Sequence, residues 1–149
     1  MSAIRNIDEP KDFIFRVLSG VAIGIVAGLV PNAILGEIFK YLIQYQPIFK
    51  TLLGVVQAIQ FTVPALIGAL IAMKFNLTPL AIAVVASASY VGSGAAQFKN
   101  GVWIIAGIGD LINTMITAAI AVLFILLIEE RVGSMALIIL SLIHISEPT

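Results

Sequence analysis

Asp110 is the residue of this sequence whose type and setting most plainly ask for chemistry. It stands in Gly107-Ile-Gly-Asp-Leu-Ile-Asn113, inside an apolar stretch that runs from Val102 to Ile128. An acid in such a stretch costs about 2.5–3.5 kcal/mol on membrane-insertion scales unless a polar cavity or partner receives it. Asn113, Thr114 and Thr117 follow Asp110 at helical spacing, so on a helix all four share one face. Beside glycines that can break a helix, such a polar stripe has two readings. It can line a solute site, where freed backbone groups also need partners. Alternatively, Asp110 caps a helix N-terminus by accepting backbone N–H bonds near Asn113. The two roles are compatible.

Two further groups carry weaker signals. Gln57, Gln60 and Thr62 surround Pro64 and can face a pathway, although amides in apolar helices often only bond a neighbouring helix. Ser87, Ser89, Ser93 and Gln97 can hydrogen-bond hydroxylated solutes, yet serines among glycines and alanines are commonly packing residues. The sequence shows no metal-ligand cluster, no nucleophile with its base and no phosphate loop, so neither catalytic residues nor cofactors are expected. There is no cysteine, which excludes disulfides and thiolate chemistry.

The elements that would position these groups are membrane spans. Of 149 residues, 60% are hydrophobic and 11% charged, with eight basic and eight acidic side chains. That is roughly half the charge of an ordinary soluble domain. So few charges cannot cover the water-facing surface of a compact soluble fold, and lipid must face much of the chain. The balanced charge, with no basic run, speaks against a nucleic-acid partner.

Residues 1–12 read as a polar cytoplasmic lead-in without the h-region of a cleaved signal. Phe13 to Val30 is a first span, with Gly20, Gly24 and Gly28 making a small-residue stripe that lets a neighbouring helix approach. Pro31-Asn32 is expected to close it, and Ile34 to Tyr45 to form an interfacial helix. Thr51 to Met73 is a second span, kinked at Pro64, followed by a turn over 74–79. Leu80 to Ala96 is a third, rich in small residues towards its end, and Phe98 to Gly101 is a turn. Val102 to Ile128 is longer than one crossing needs, which favours a broken or re-entrant segment near Gly107. Glu129 to Gly133 returns the chain to water, and Met135 begins another span. The expected class is therefore an all-α polytopic membrane protein of about four transmembrane helices and the start of a fifth. Basic residues near the span ends place the N-terminus in the cytoplasm, with Trp103, Tyr41 and Tyr45 at boundaries.

Four strings together, Val30-Pro-Asn-Ala-Ile-Leu-Gly36, Phe61-Thr-Val-Pro-Ala-Leu-Ile-Gly68, Val91-Gly-Ser-Gly94 and Gly107-Ile-Gly-Asp-Leu-Ile-Asn-Thr-Met-Ile-Thr117, resemble the subunit IIC family of the bacterial phosphoenolpyruvate-dependent sugar phosphotransferase system. The resemblance covers residues 13–139 and corresponds to the N-terminal part of a member more than twice as long. It implies an inner-membrane permease that binds a sugar and presents it to a separate IIB subunit, which carries the phosphoryl chemistry. It points again to Asn32, Thr62, Ser93, Asp110, Asn113 and Thr114 as substrate-binding residues, and leaves room for a homodimer. The Gly-Ile-Thr-Glu motif of glucose-type permeases has no counterpart here, which leaves the sugar open. The rival reading is a small helical membrane protein with a structural or regulatory role. Leu140 to Thr149 resembles translated sequencing adapter, so residues 140–149 are expected to be a non-native tail, the alternative being a natural polar end to the last helix.

Overall fold

The computed structural model of the chain describes residues 9–146, with side chains described as far as 132. The expected tail therefore lies outside the described side chains, with 147–149 outside the described residues altogether.

Helix α1 (Pro10–Leu42) opens on a proline, whose missing N–H is one the first turn leaves unpaired anyway. At 33 residues it is about 50 Å long, enough to cross a bilayer and continue beyond it. The expected break at Pro31 and the separate interfacial helix do not occur. Pro31 costs α1 the backbone bond to the Ala27 carbonyl, a loss that helices in membranes tolerate, and beside it the Asn32 side-chain amide donates to the Gly28 carbonyl at 2.5 Å. After a turn in which the Tyr41 and Tyr45 hydroxyls lie 3.3 Å apart, helix α2 (Ile48–Gln60) packs back along the second half of α1. The bond to Tyr41, with slight desolvation, holds the Tyr45 hydroxyl above the ordinary tyrosine pKa.

Helix α3 (Val63–Lys74) continues from α2 at a bend of 43°. Pro64 cannot donate to the Gln60 carbonyl, and the expected kink is a full break. α3 is the buried element of the bundle, with Val63, Pro64, Ile67, Gly68, Ile71 and Ala72 enclosed by α1 and the later helices. The glycine stripe of α1 makes this packing: a Cβ at Gly20 would stand 2.6 Å from the Cα of Ile71, at Gly24 2.6 Å from Ile67 Cγ1, and at Gly28 2.9 Å from Val63 Cγ2. At the open end of the pair, Arg16 bridges Asp12 at 3.0 Å, reaches the Lys74 carbonyl at 3.4 Å and lies over the Phe75 ring.

Thr78 accepts from the Ala81 N–H and Pro79 takes the first helical position, so helix α4 (Pro79–Gly92) begins where the turn predicted. It has only 14 residues and is too short for a simple span. The chain is mostly helical as expected, and the segment after α4 adds a short strand pair that was not. β1 (Ala96–Lys99) and β2 (Val102–Ile105) form an antiparallel hairpin, with Phe98 paired to Trp103 and Gln97 to Ile104. Asn100 and Gly101, at φ +52° and +80°, give the two positive values a type I′ turn requires. Helix α5 (Leu111–Ser146) then runs without a break through the residues expected to return the chain to water. Among the described residues two helices, α1 and α5 over Leu111–Val132, are long and apolar enough to cross a membrane, or three spans if α2 and α3 count as one, so the expected four spans and start of a fifth are not all found among them.

One consequence is local. In Gly101→Val a branched side chain must hold φ near +80°, at a cost of about 1–2 kcal/mol. An isolated ribbon is marginal to begin with. The expected outcome is loss of amide-exchange protection at Gln97 and Ile104, with that of α3 unchanged.

Candidate functional site

The polar residues converge where α4 ends and α5 begins. α4 stops at Ser93, whose hydroxyl donates to the Tyr90 carbonyl at 2.7 Å and accepts from the Ala95 N–H at 3.1 Å. These two bonds turn the chain out of the helix and into the hairpin. After the hairpin, Ala106 N–H bonds the Ala95 carbonyl at 2.8 Å, closing the base of the ribbon. The chain then returns through Gly107 and Gly109, both at positive φ. Gly109 is required there twice over, since its φ is +78° and a Cβ would stand 2.5 Å from the Ser93 hydroxyl. This contact brings the Asp110 N–H to the Ser93 carbonyl at 2.8 Å.

Asp110 thus ties the two helix ends together through its backbone and starts α5 with its side chain. Its Oδ1 accepts from the N–H groups of Ile112 at 2.7 Å and Asn113 at 3.1 Å. This is N-cap geometry, and it also sets a carboxylate at the positive end of a helix. Thr114, fully buried, returns its hydroxyl to the Asp110 carbonyl at 2.7 Å. Thr117 fills the space over Gly92, where any Cβ would collide with its hydroxyl and methyl groups. Ser93, Asp110 and Thr114 therefore form one connected node, with Asn113 beside it.

Only part of this node presents itself outward. Asp110 and Asn113 are exposed, whereas Ser93 and Thr114 are buried. Asn32 and Thr62 lie elsewhere. Asn32 is buried in α1, and Thr62 is exposed at the α2–α3 break, donating to the Ile59 carbonyl at 2.7 Å. Of the weaker candidates, Gln57 is exposed on α2, Ser87 and Ser89 return their hydroxyls to carbonyls one turn earlier, and Gln97 donates to Gly94. Among the described residues, every buried side-chain nitrogen and oxygen has a hydrogen-bond partner. No three His, Cys, Asp or Glu side chains among them come together as a metal site would need.

Sequence reasoning picked out the residues of this node but missed the hairpin that joins them. Its signal was legible: Asn100-Gly101 between apolar runs is the strongest short-range mark of a two-residue β-turn.

A family model described as "Phosphotransferase system, EIIC" matches residues 15–147. No curated protein and no solved structure matches the chain.

Proposed function

The chain belongs to the EIIC family of the phosphotransferase system, the integral-membrane permease components, and on that footing we propose that it is a sugar-binding part of such a permease. The observation that carries the reading is the meeting of two helix ends at Ser93 and Asp110, with α4 too short to cross. The 14 residues of α4 rise about 21 Å, short of a hydrocarbon core of about 30 Å, which supports reading the node as a helix interruption within the membrane protein rather than a loop beyond a full span. Interrupted helices are where many transporters bind polar solutes.

In this reading Asp110 and Asn113 face the sugar hydroxyls, while Ser93 and Thr114 position them. Thr62 and Asn32 line the approach at the second helix break. The chain carries no phosphorylating group of its own and hands the bound sugar to a separate IIB subunit. In this reading it works within a longer permease in a bacterial inner membrane. A cytoplasmic N-terminus is the orientation favoured by the bias of basic residues near the span ends, with Arg5, Lys11, Arg16, Lys74 and Arg131 on one side against Lys40, Lys50 and Lys99 on the other. A homodimer is compatible with the large apolar surface of α1 and α2.

The test is to recover the reading frame beyond Ile139 from the source DNA and express it in cells lacking other permeases. Phosphoenolpyruvate-dependent uptake of at least one labelled sugar is expected. A frame that truly ends at Thr149, with no uptake, would sink the permease reading. The structural or regulatory alternative would then be favoured, on the observation that every buried polar side chain among the described residues already has a hydrogen-bond partner within the chain.

A further inference from the structure

The β-hairpin poses a physical problem that its surroundings do not solve. Among the described residues its main packing partner outside the ribbon is the end of α4. One of its faces, made by Ala96, Phe98, Trp103 and Ile105, is apolar throughout, with Phe98 60%, Trp103 63% and Ile105 61% exposed. The Phe98 and Trp103 rings pack at 5.4 Å between centroids. The strands bond only each other, so the outer edge of each carries backbone groups without a ladder partner.

Hydrocarbon cannot receive those open edges, because unpaired backbone groups in lipid cost several kcal/mol each. Water alone does not suit the aromatic face. One environment meets both demands: the bilayer's headgroup and glycerol zone, where water and lipid carbonyls bond the edges and the acyl boundary takes the rings. The hairpin follows the C-terminal end of α4, which leads away from Lys74, so it lies on the side of the bundle away from the Arg16–Lys74 corner. Lys99 beside the tip can reach lipid phosphates, and Trp103 is of the residue type that prefers this level.

We propose that the hairpin is a lipid-docking element, seated by Phe98 and Trp103 in the headgroup–acyl boundary of the leaflet opposite the Arg16–Lys74 corner. Seated there, it holds the Ser93–Asp110 junction at a set depth from that surface. This rests on the integral-membrane character of the chain and not on the identity of any sugar.

Trp103 is the only tryptophan in the sequence, so it reports its own position. The chain is reconstituted into phosphatidylethanolamine–phosphatidylglycerol vesicles and its emission measured against three quenchers. Lipids brominated near the glycerol end of their chains are expected to quench about twofold more than lipids brominated near the chain ends, and aqueous iodide to quench weakly. Stronger quenching by the deep bromines would overturn the proposal, by placing the hairpin in hydrocarbon. Iodide quenching without lipid quenching would overturn it in favour of an aqueous cavity. Absence of quenching by all three would do so by placing the ring against protein. Phe98→Trp in a Trp103→Phe background moves the reporter to the partner ring on the same face, and the same order of quenching is expected.

Discussion

Gly20→Val is expected to abolish the packed bundle, the largest stability effect of any single substitution in the described part of the chain. The atoms a Cβ would meet are the Cα and N of Ile71, at 2.6 and 2.9 Å, and backbone cannot rotate aside as a side chain can. Relief requires α1 and α3 to separate along the whole stripe, because Gly24 and Gly28 fix the same approach at Ile67 and Val63. Even Gly20→Ala should cost about 1–3 kcal/mol, the range for overpacked cores. Valine, with two further methyl groups, should leave the chain aggregating in mild detergent. The contrast is Gly54→Ala on α2, where nothing lies within 4 Å of the added carbon. There the helix gains about 0.5–1 kcal/mol, because alanine loses less backbone freedom than glycine. Thermal unfolding in detergent, followed by size-exclusion elution, reads all three. A Gly20→Val chain that elutes and melts like the parent would show that α1 and α3 do not pack through this stripe.

The stripe was legible from spacing alone because its cause is local: small residues four apart make a flat helix face whatever lies opposite. The bend at Pro64 and the start of α4 at Thr78-Pro79 were legible for the same reason, since proline's missing N–H acts within one turn. Pro31 obeyed a different rule. It removes only one backbone bond, to the Ala27 carbonyl, and the helix runs on through it, so a signal that ends helices in water did not end this one. The hairpin was obscured by hydropathy. Val102-Trp-Ile-Ile105 reads as the start of a span when counted for apolar content, and as a strand only when Asn100-Gly101 is weighed first. Missing it hid the tertiary link from Ser93 to Asp110, which are 17 positions apart and meet only because the ribbon folds back on itself. The sequence thus identified Asp110, Asn113, Thr114 and Thr117 as one face, but could not say that Ser93 and Gly92 stand against it.

Asp110 separates the two roles the site offers, because aspartate and asparagine cap helices almost equally well. Asp110→Asn keeps an Oδ1 to accept from Ile112 and Asn113, and keeps the backbone bond to Ser93, so the start of α5 should survive within a few tenths of a kcal/mol. What it loses is the charge. Hydrogen bonds to a charged group contribute about 1.5–3 kcal/mol, so a carboxylate that receives sugar hydroxyls should, on becoming an amide, lower uptake by the completed permease roughly tenfold to a hundredfold. Asp110→Ala removes charge and cap together. It should add a stability loss of about 1 kcal/mol, visible as fraying of the first turn of α5 in amide exchange. Measured side by side, the pair discriminates. If asparagine lowers uptake at unchanged stability, the carboxylate acts on the solute. If uptake is unchanged in asparagine and falls only in alanine, in step with the frayed turn, Asp110 serves the helix and the solute contact must be sought at Asn113 or at the second break near Thr62.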